Sequence, residues 1–170
     1  MKSIILSVSP QEALNILNGK QTALLRKRVP KGFVGWCYLY VNKDYKFWNW
    51  FDKAGLFEYD AKFGKCCGLI PARFWFDEYT EFDSRLGNPK LYIKACVSDN
   101  KVADYGKGKN LYAIHIKNLE IFNEPKSLGE FKRYVWKTIY SGMDCPPYSD
   151  EVLVTVCNAP TNYIYVEVVK

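Results

Sequence analysis

The chain has a single histidine, His115, in 170 residues, and none of its six cysteines falls in a Cys-x-x-Cys pair. A histidine-pair ribonuclease mechanism is thereby excluded, and a structural zinc site would have to gather four thiolates from scattered positions. No metal and no cofactor are expected. A phosphate-cradling glycine loop is also missing, because GKGKN at 106–110 has neither the spacing nor the strand-to-helix context that such a loop needs. Ser7, Ser9, Thr22 and Ser127 make no Ser-His-Asp arrangement, and His115, in LYAIHIKNLEI, reads as structural or surface. No apolar run is long enough to cross a bilayer, and MKSIILSVSP has too short an apolar stretch for a secretory signal. A reducing cytoplasm is the expected setting, with several cysteines acting as small buried hydrophobes.

The most informative absence is of negative charge. Between Glu12 and Asp44 there is no acidic residue, while Lys20, Arg26, Lys27, Arg28, Lys31 and Lys43 all fall in that window. The net charge of +6 is otherwise mild, so one basic surface rather than a charged tail is implied, and a polyanion is the partner it suits. The end of the window alternates Trp36, Tyr38 and Tyr40 with Cys37, Leu39 and Val41, a strand pattern with one aromatic face. Charge beside stackable rings points to RNA or another single-stranded nucleic acid; the plainer reading is a solvated basic edge beside core aromatics.

What the chain does contain is ordinary globular composition, 48% hydrophobic and 25% charged, with 16% aromatics. One domain over 1–170 is expected, mainly β with a few helices. Residues 3–8 read as a strand. Ser9, Pro10 and Glu12 then form a capping box that opens a short helix closed by Asn18-Gly19. A basic strand over 21–29 places Thr22, Leu24, Arg26 and Arg28 on one face, and a strand over 33–41 follows. The sequence YKFWNWF at 45–51 sits in an aromatic insertion spanning about 45–63. A long strand over 64–82 interrupted at Pro71, a helix over 90–105 closed by Gly106 and Gly108, a strand over 111–122, a short helix or turn after Pro125, and a last strand over 162–169 complete the pattern. Strands at both ends suggest an antiparallel barrel that removes its edges by closing on itself, with helices flanking or plugging it.

The segment SIILSVSPQEALNILNGKQTALLRKRVP resembles the opening of the ASCH domain, a branch of the PUA-like superfamily, through Gly19, Lys20, Thr22, Arg26, Lys27 and Arg28. GKCCG at 64–68, residues 103–132 and NAPTNYIYVE at 158–167 resemble its longer phage and bacterial members. The resemblance implies an α+β, mainly β, PUA-like closed pseudo-barrel with flanking helices and a basic cleft that holds RNA, a nucleotide or a modified base. Lys20, Thr22, Arg26, Lys27, Arg28, Lys65 and Tyr165 are the expected nucleic-acid contacts. Some family members are amidohydrolases acting on N4-acetylcytidine through a lysine, a threonine and a glutamate, and others are ribonucleases. Here Gln21 and Leu24 stand where that lysine and threonine are expected, and neither supplies a nucleophile or a proton relay.

Arg26 and Arg28 suit phosphate because a guanidinium pairs with it bidentately. The structural alternative for Arg26 is an ion pair with Glu78 or Glu81. Tyr165 borders the cleft or packs in the barrel. A hydrolytic enzyme is the second reading, and Asp77, Glu78, Glu81 and Asp83 are the dense acidic group that a metal-assisted nuclease would need. Those four also read as a solvated edge. The third reading is a protein-binding module of a mobile element, with YKFWNWF as its contact patch. The second basic cluster, Lys126, Lys132, Arg133 and Lys137, reads as a solvated helix face that could extend a backbone-binding track.

Overall fold

Strand β1 (Ser3–Val8) is buried along nearly its whole length because it lies inside a sheet with partners on both sides. Ser9 ends it and caps helix α1 (Pro10–Leu17): the Ser9 hydroxyl accepts from the Glu12 N–H, and Glu12 Oε2 accepts from the Ser9 N–H at 3.0 Å. This reciprocal box satisfies two of the orphan donors at the helix start. Gly19 then turns the chain at φ 71°. The computed structural model describes residues 2–43, 66–139 and 148–168. Lys65, Cys145 and the aromatic insertion at 45–63 lie outside the described residues.

The remaining elements are β2 (Ala23–Arg26), β3 (Gly35–Val41), β4 (Ile70–Phe76), β5 (Tyr79–Asp83), α2 (Pro89–Ala95), α3 (Asp99–Gly106), β6 (Asn110–His115), β7 (Lys117–Lys126), a 3₁₀ turn (Leu128–Glu130), β8 (Phe131–Ile139), β9 (Tyr148–Thr155) and β10 (Tyr163–Val168). They form a seven-stranded sheet ordered β7-β4-β3-β1-β10-β8-β9 and a three-stranded sheet ordered β2-β6-β5. The fold is α+β and mainly β, as expected. The chain passes from the large sheet to the small one and back twice, once for β2 and once for β5 and β6, so the two sheets wrap one core. That core holds Ile4, Leu6, Leu24, Leu39, Phe74, Phe76 and Ile114.

Two details differ from a closed, wholly antiparallel barrel. Strand β1 pairs with β3 in parallel, because the chain between them crosses over through α1 and β2, the kind of connection that parallel neighbours require. Strand pairing among the described residues also forms two sheets rather than one ring. No helix among the described residues is long and apolar enough to cross a membrane.

Several expected elements are divided. The helix over 90–105 is two helices, separated at Cys96, which adopts a left-handed φ of 53°. Pro71 does not break its strand but lies inside β4 where the register with β7 shifts, a bulge that tolerates its missing N–H. The break comes at Asp77-Glu78. Residues 131–139 form a strand rather than a helix face, in keeping with Tyr134, Val135, Trp136, Thr138 and Ile139. The segment 148–155, unassigned by its pattern, becomes a strand by pairing with β8. Cys66 and Cys67 lie in a turn rather than on opposite faces of a strand; Cys37 and Cys66 are buried, as small hydrophobes would be, and Cys96 and Cys157 are exposed. Of the aromatic face of β3, Tyr38 and Tyr40 are buried in a second core with Ile5, Ile70 and Phe131. Trp36 is half-buried, edge-on to Trp75 at 5.3 Å and beneath the Arg73 guanidinium at 3.9 Å.

Candidate ligand cleft

A cleft of about 530 Å³ opens where the end of β1, helix α1 and strand β2 face the junction of α2 and α3. Ser7, Ser9, Gln11, Glu12, Asn15, Gln21, Leu25 and Arg26 line one wall. Cys96, Val97, Lys101, Val102 and Tyr105 line the other, and Asn42, Thr161 and Asn162 close one side. The volume lies within the range of small-molecule sites.

Arg26 builds the first wall. Its side chain faces the same side of β2 as Leu24, and the residue is 8% exposed. Nη1 donates to Glu12 Oε1 at 2.9 Å and to the Leu25 carbonyl at 2.7 Å, while Nη2 donates to the Ser7 carbonyl at 2.9 Å. No backbone ladder among the described residues joins β1 to β2, so this guanidinium ties the edge of the small sheet to the large one. Glu12 thus serves the helix cap with Oε2 and Arg26 mainly with Oε1, while Oε2 also accepts from Arg26 Nη2 at 3.5 Å. The expected partners of Arg26 are engaged elsewhere: Glu78 pairs with Lys117 at 2.9 Å and Glu81 accepts from Asn110 at 2.8 Å. Glu81 lies in β5 and Glu78 just before it, at the edge of the small sheet opposite β2.

The cleft is therefore less basic than the charge window suggests, because Glu12 sits against its one buried cation. Five carboxamides dominate its polar lining: Gln11, Asn15, Gln21, Asn42 and Asn162. Gln11 Nε2 donates to Asn15 Oδ1 at 3.2 Å. Gln21 is 3% exposed, and its Nε2 donates to the Ala23 carbonyl at 2.9 Å, which leaves Oε1 without a partner among the described residues. Lys101 adds one exposed positive charge. Behind the wall, burial pushes the Cys37 thiol far above its ordinary range although the Arg26 charge pulls it down. Leu24, fully buried in the main core, is no part of the cleft.

Of the residues expected to meet nucleic acid, Arg26 lines the cleft and Lys27 reaches its rim, with its ammonium 4.6 Å from the centre of the Tyr105 ring. Lys20 and Thr22 are exposed outside it; the Thr22 N–H donates to the Lys94 carbonyl at 2.8 Å. Arg28 is exposed just past β2. Tyr165 lies in a separate hollow of about 240 Å³ with Lys2, Arg133 and Tyr134, edge-on to Phe33 at 5.8 Å. Burial raises its phenol above the ordinary value. The contributions of Glu12, Asn15, Lys101, Tyr105 and Asn162 were not anticipated, because they depend on which distant segments meet.

The other candidate chemistry is spread out. His115 Nε2 lies 2.8 Å from Thr80 Oγ1. Asp77 and Glu78 both hold Lys117, and Asp83 holds Arg85. The Lys117 ammonium lowers Glu78 below the usual carboxylate range, and hydrogen bonds from Arg85 bring Asp83 to about 2. Among the described residues, no group of three or more His, Cys, Asp and Glu is placed to hold a metal.

No family model matches the chain, and no curated protein matches it. Solved structures do. The ASCH protein from Zymomonas mobilis superposes with a TM-score of 0.54 over 74% of this chain and 73% of its own, at 16% identity. A tyrosine-to-phenylalanine mutant of that protein gives 0.52 over 75% and 77%, and a serine-to-alanine mutant gives 0.54 over 74% of each chain, both at 16% identity. The sequence resemblance and the structural likeness agree, and the chain has the fold of an ASCH domain.

Proposed function

We propose that the chain binds RNA, or a nucleotide, by admitting one base to the cleft between α1 and α3. The observation that carries this reading is Gln21, set in the cleft wall with an Oε1 that has no partner among the described residues and with four further carboxamides around the same hollow. A carboxamide offers a donor and an acceptor side by side, which matches the hydrogen-bonding edge of a base. With no protein donor among the described residues, this acceptor is left open to the cleft, where a ligand's donor can take the place of water. Tyr105 provides a ring against which a base can stack.

In this arrangement Arg26 positions the wall, and phosphate is met by Lys101 and Lys27 at the rim. Binding rather than acyl transfer is the reading, because Gln21 stands where the related deacylases are expected to carry an amine, and Leu24 is committed to the core.

Isothermal titration with the four ribonucleoside monophosphates at two salt concentrations tests the proposal. At least one should bind, Gln21→Ala should weaken it about tenfold or more, and Lys101→Ala should weaken it in a salt-dependent way. No binding of any nucleotide, or identical binding by Gln21→Ala, would overturn it.

A further inference from the structure

Ile4 and Leu6 of β1 point into the core beneath the small sheet, and the register carries that same face outward through Tyr165 of β10. It continues through Lys132, Tyr134 and Trp136 of β8 to Leu153 and Glu151 of β9. The small sheet covers β1, β3 and β4 with Leu24 and Ile114, and past that cover the core-facing side comes into solvent. Trp136 is 72% exposed, Tyr134 47%, Tyr165 46% and Leu153 42%. Of the ten exposed large hydrophobic residues among those described, four share this one face, a concentration that marks an interaction surface.

The charges on the face sum to zero. Lys132 and Glu151 belong to it by register, Glu167 stands opposite Lys132, and Lys2 lines the hollow beside Tyr165 and Glu167. Arg133, at the rim of that hollow, alternates with Lys137 and Asp150 to the opposite side of the hairpin. None of Lys2, Lys132, Glu151 and Glu167 forms an ion pair among the described residues. A neutral face has no preference for a polyanion, but this one is complementary to itself.

We propose that this face is the contact between two copies of the chain. Along β8 the order is Lys132, Tyr134, Trp136, and Glu151 stands beside Trp136 on β9. A two-fold axis crossing the strands at the row of Tyr134 and Leu153 sets the facing strands antiparallel, so Lys132 of each copy comes over Trp136 and Glu151 of the other. Each ammonium then meets a carboxylate and an aromatic face together, while Tyr134 and Leu153 pack on their counterparts at the axis. Sheets stack about 10 Å apart, a gap that lysine and tryptophan side chains bridge. An axis running along β8 would instead set Lys132 over its own copy, so charge selects the antiparallel arrangement. Three strands make a small face beside the roughly 800 Å² per partner of a standard interface, so the dimer is a weak one. The proposal does not rest on the cleft reading. The rival contact is edge to edge along β9, whose strand neighbour among the described residues is β8 alone.

Sedimentation velocity of the full chain at tens to hundreds of micromolar tests the proposal. The native chain should pass from monomer to dimer over that range, and Trp136→Ala should raise the dissociation constant about tenfold or more. Lys132→Glu and Glu151→Lys, each alone, should weaken the dimer by opposing like charges. An equimolar mixture of those two variants should associate again, because every facing pair in the mixed dimer then joins opposite charges, and the double variant should associate for the same reason. A native chain that stays monomeric throughout overturns the proposal, whatever else its face binds. So does a dimer that Trp136→Ala leaves intact, as edge pairing along β9 would, or a mixture that associates no better than either variant alone.

Discussion

Arg26 and Glu12, fourteen positions apart, meet at 2.9 Å through Nη1 and Oε1, and the same guanidinium reaches the Ser7 carbonyl. One side chain therefore joins the first helix, the first strand and the second strand where no backbone ladder among the described residues joins β1 to β2. Removing it leaves a half-buried carboxylate and two carbonyls without their donor. Arg26→Ala should destabilise the chain by about 3 kcal/mol in urea denaturation, and Arg26→Lys by less, since lysine keeps the charge but not the fork. A loss below about 1 kcal/mol for Arg26→Ala would show that the pair is not what holds this wall.

Glu12→Gln separates the charge of Glu12 from its capping role. The glutamine can still accept from the Ser9 N–H, but Arg26 loses its counter-charge. Stability should fall by about 1–2 kcal/mol, a modest amount because the Glu12 side chain is 29% exposed. Nucleotide affinity should rise severalfold at low salt and return toward the native value as salt increases. Calorimetric titration at two ionic strengths measures both; unchanged or weaker binding at low salt contradicts the electrostatic account of the cleft.

The acid limb of stability follows from the edge of the small sheet. Asp83, held by Arg85 at about 2, and Glu78, lowered by Lys117, both have folded values below their unfolded ones. Groups depressed in this sense stabilise the fold above the unfolded value, near 4, and lose that contribution as pH falls through the folded value. The melting temperature should therefore decline between about pH 4 and pH 2. Asp83→Asn should flatten the lower part of that decline. A variant whose profile overlays the native one from pH 5 to pH 2 would contradict this assignment.

Gly106, at the end of α3, packs directly on Ser84. A Cβ placed there would collide with the Ser84 side chain and lie 3.3 Å from Leu111 Cδ1. Gly106→Ala should cost about 1–3 kcal/mol by overpacking. Because α3 carries Lys101 and Tyr105, nucleotide binding should weaken as well. Ser84 Oγ is buried with no hydrogen-bond partner among the described residues, so Ser84→Ala should be neutral or stabilising. Thermal melts of both variants check the pair; a stable Gly106→Ala would refute the packing argument.

What the sequence made legible was what local chemistry decides. The cap at Ser9, the end of α1 at Gly19, the alternation of β3 and the closing strand all appear close to their expected places, since each is specified by neighbours within a few residues. Strand β9 was not legible because Ser149, Asp150 and Glu151 are poor strand formers, and pairing with β8 supplies the drive. The site was half legible. The basic window pointed to Arg26, but the acid that neutralises it lies at the edge of that same window, already assigned to a helix cap. Which wall faces Arg26 depends on the packing of α2 and α3, and no spacing in the sequence encodes that.

The central claim is that the carboxamide-lined hollow between α1 and α3 takes a base. Proton–nitrogen correlation spectra recorded while a ribonucleoside monophosphate is added test it most directly, because the side-chain amides of Gln11, Asn15, Gln21, Asn42 and Asn162 each give a resolved pair. The account predicts saturable shifts of the Gln21 pair together with those of Asn15 or Asn162, and little change in the Trp136 indole. Shifts confined to surface lysine-rich segments, with the Gln21 pair unmoved at saturating nucleotide, would contradict it.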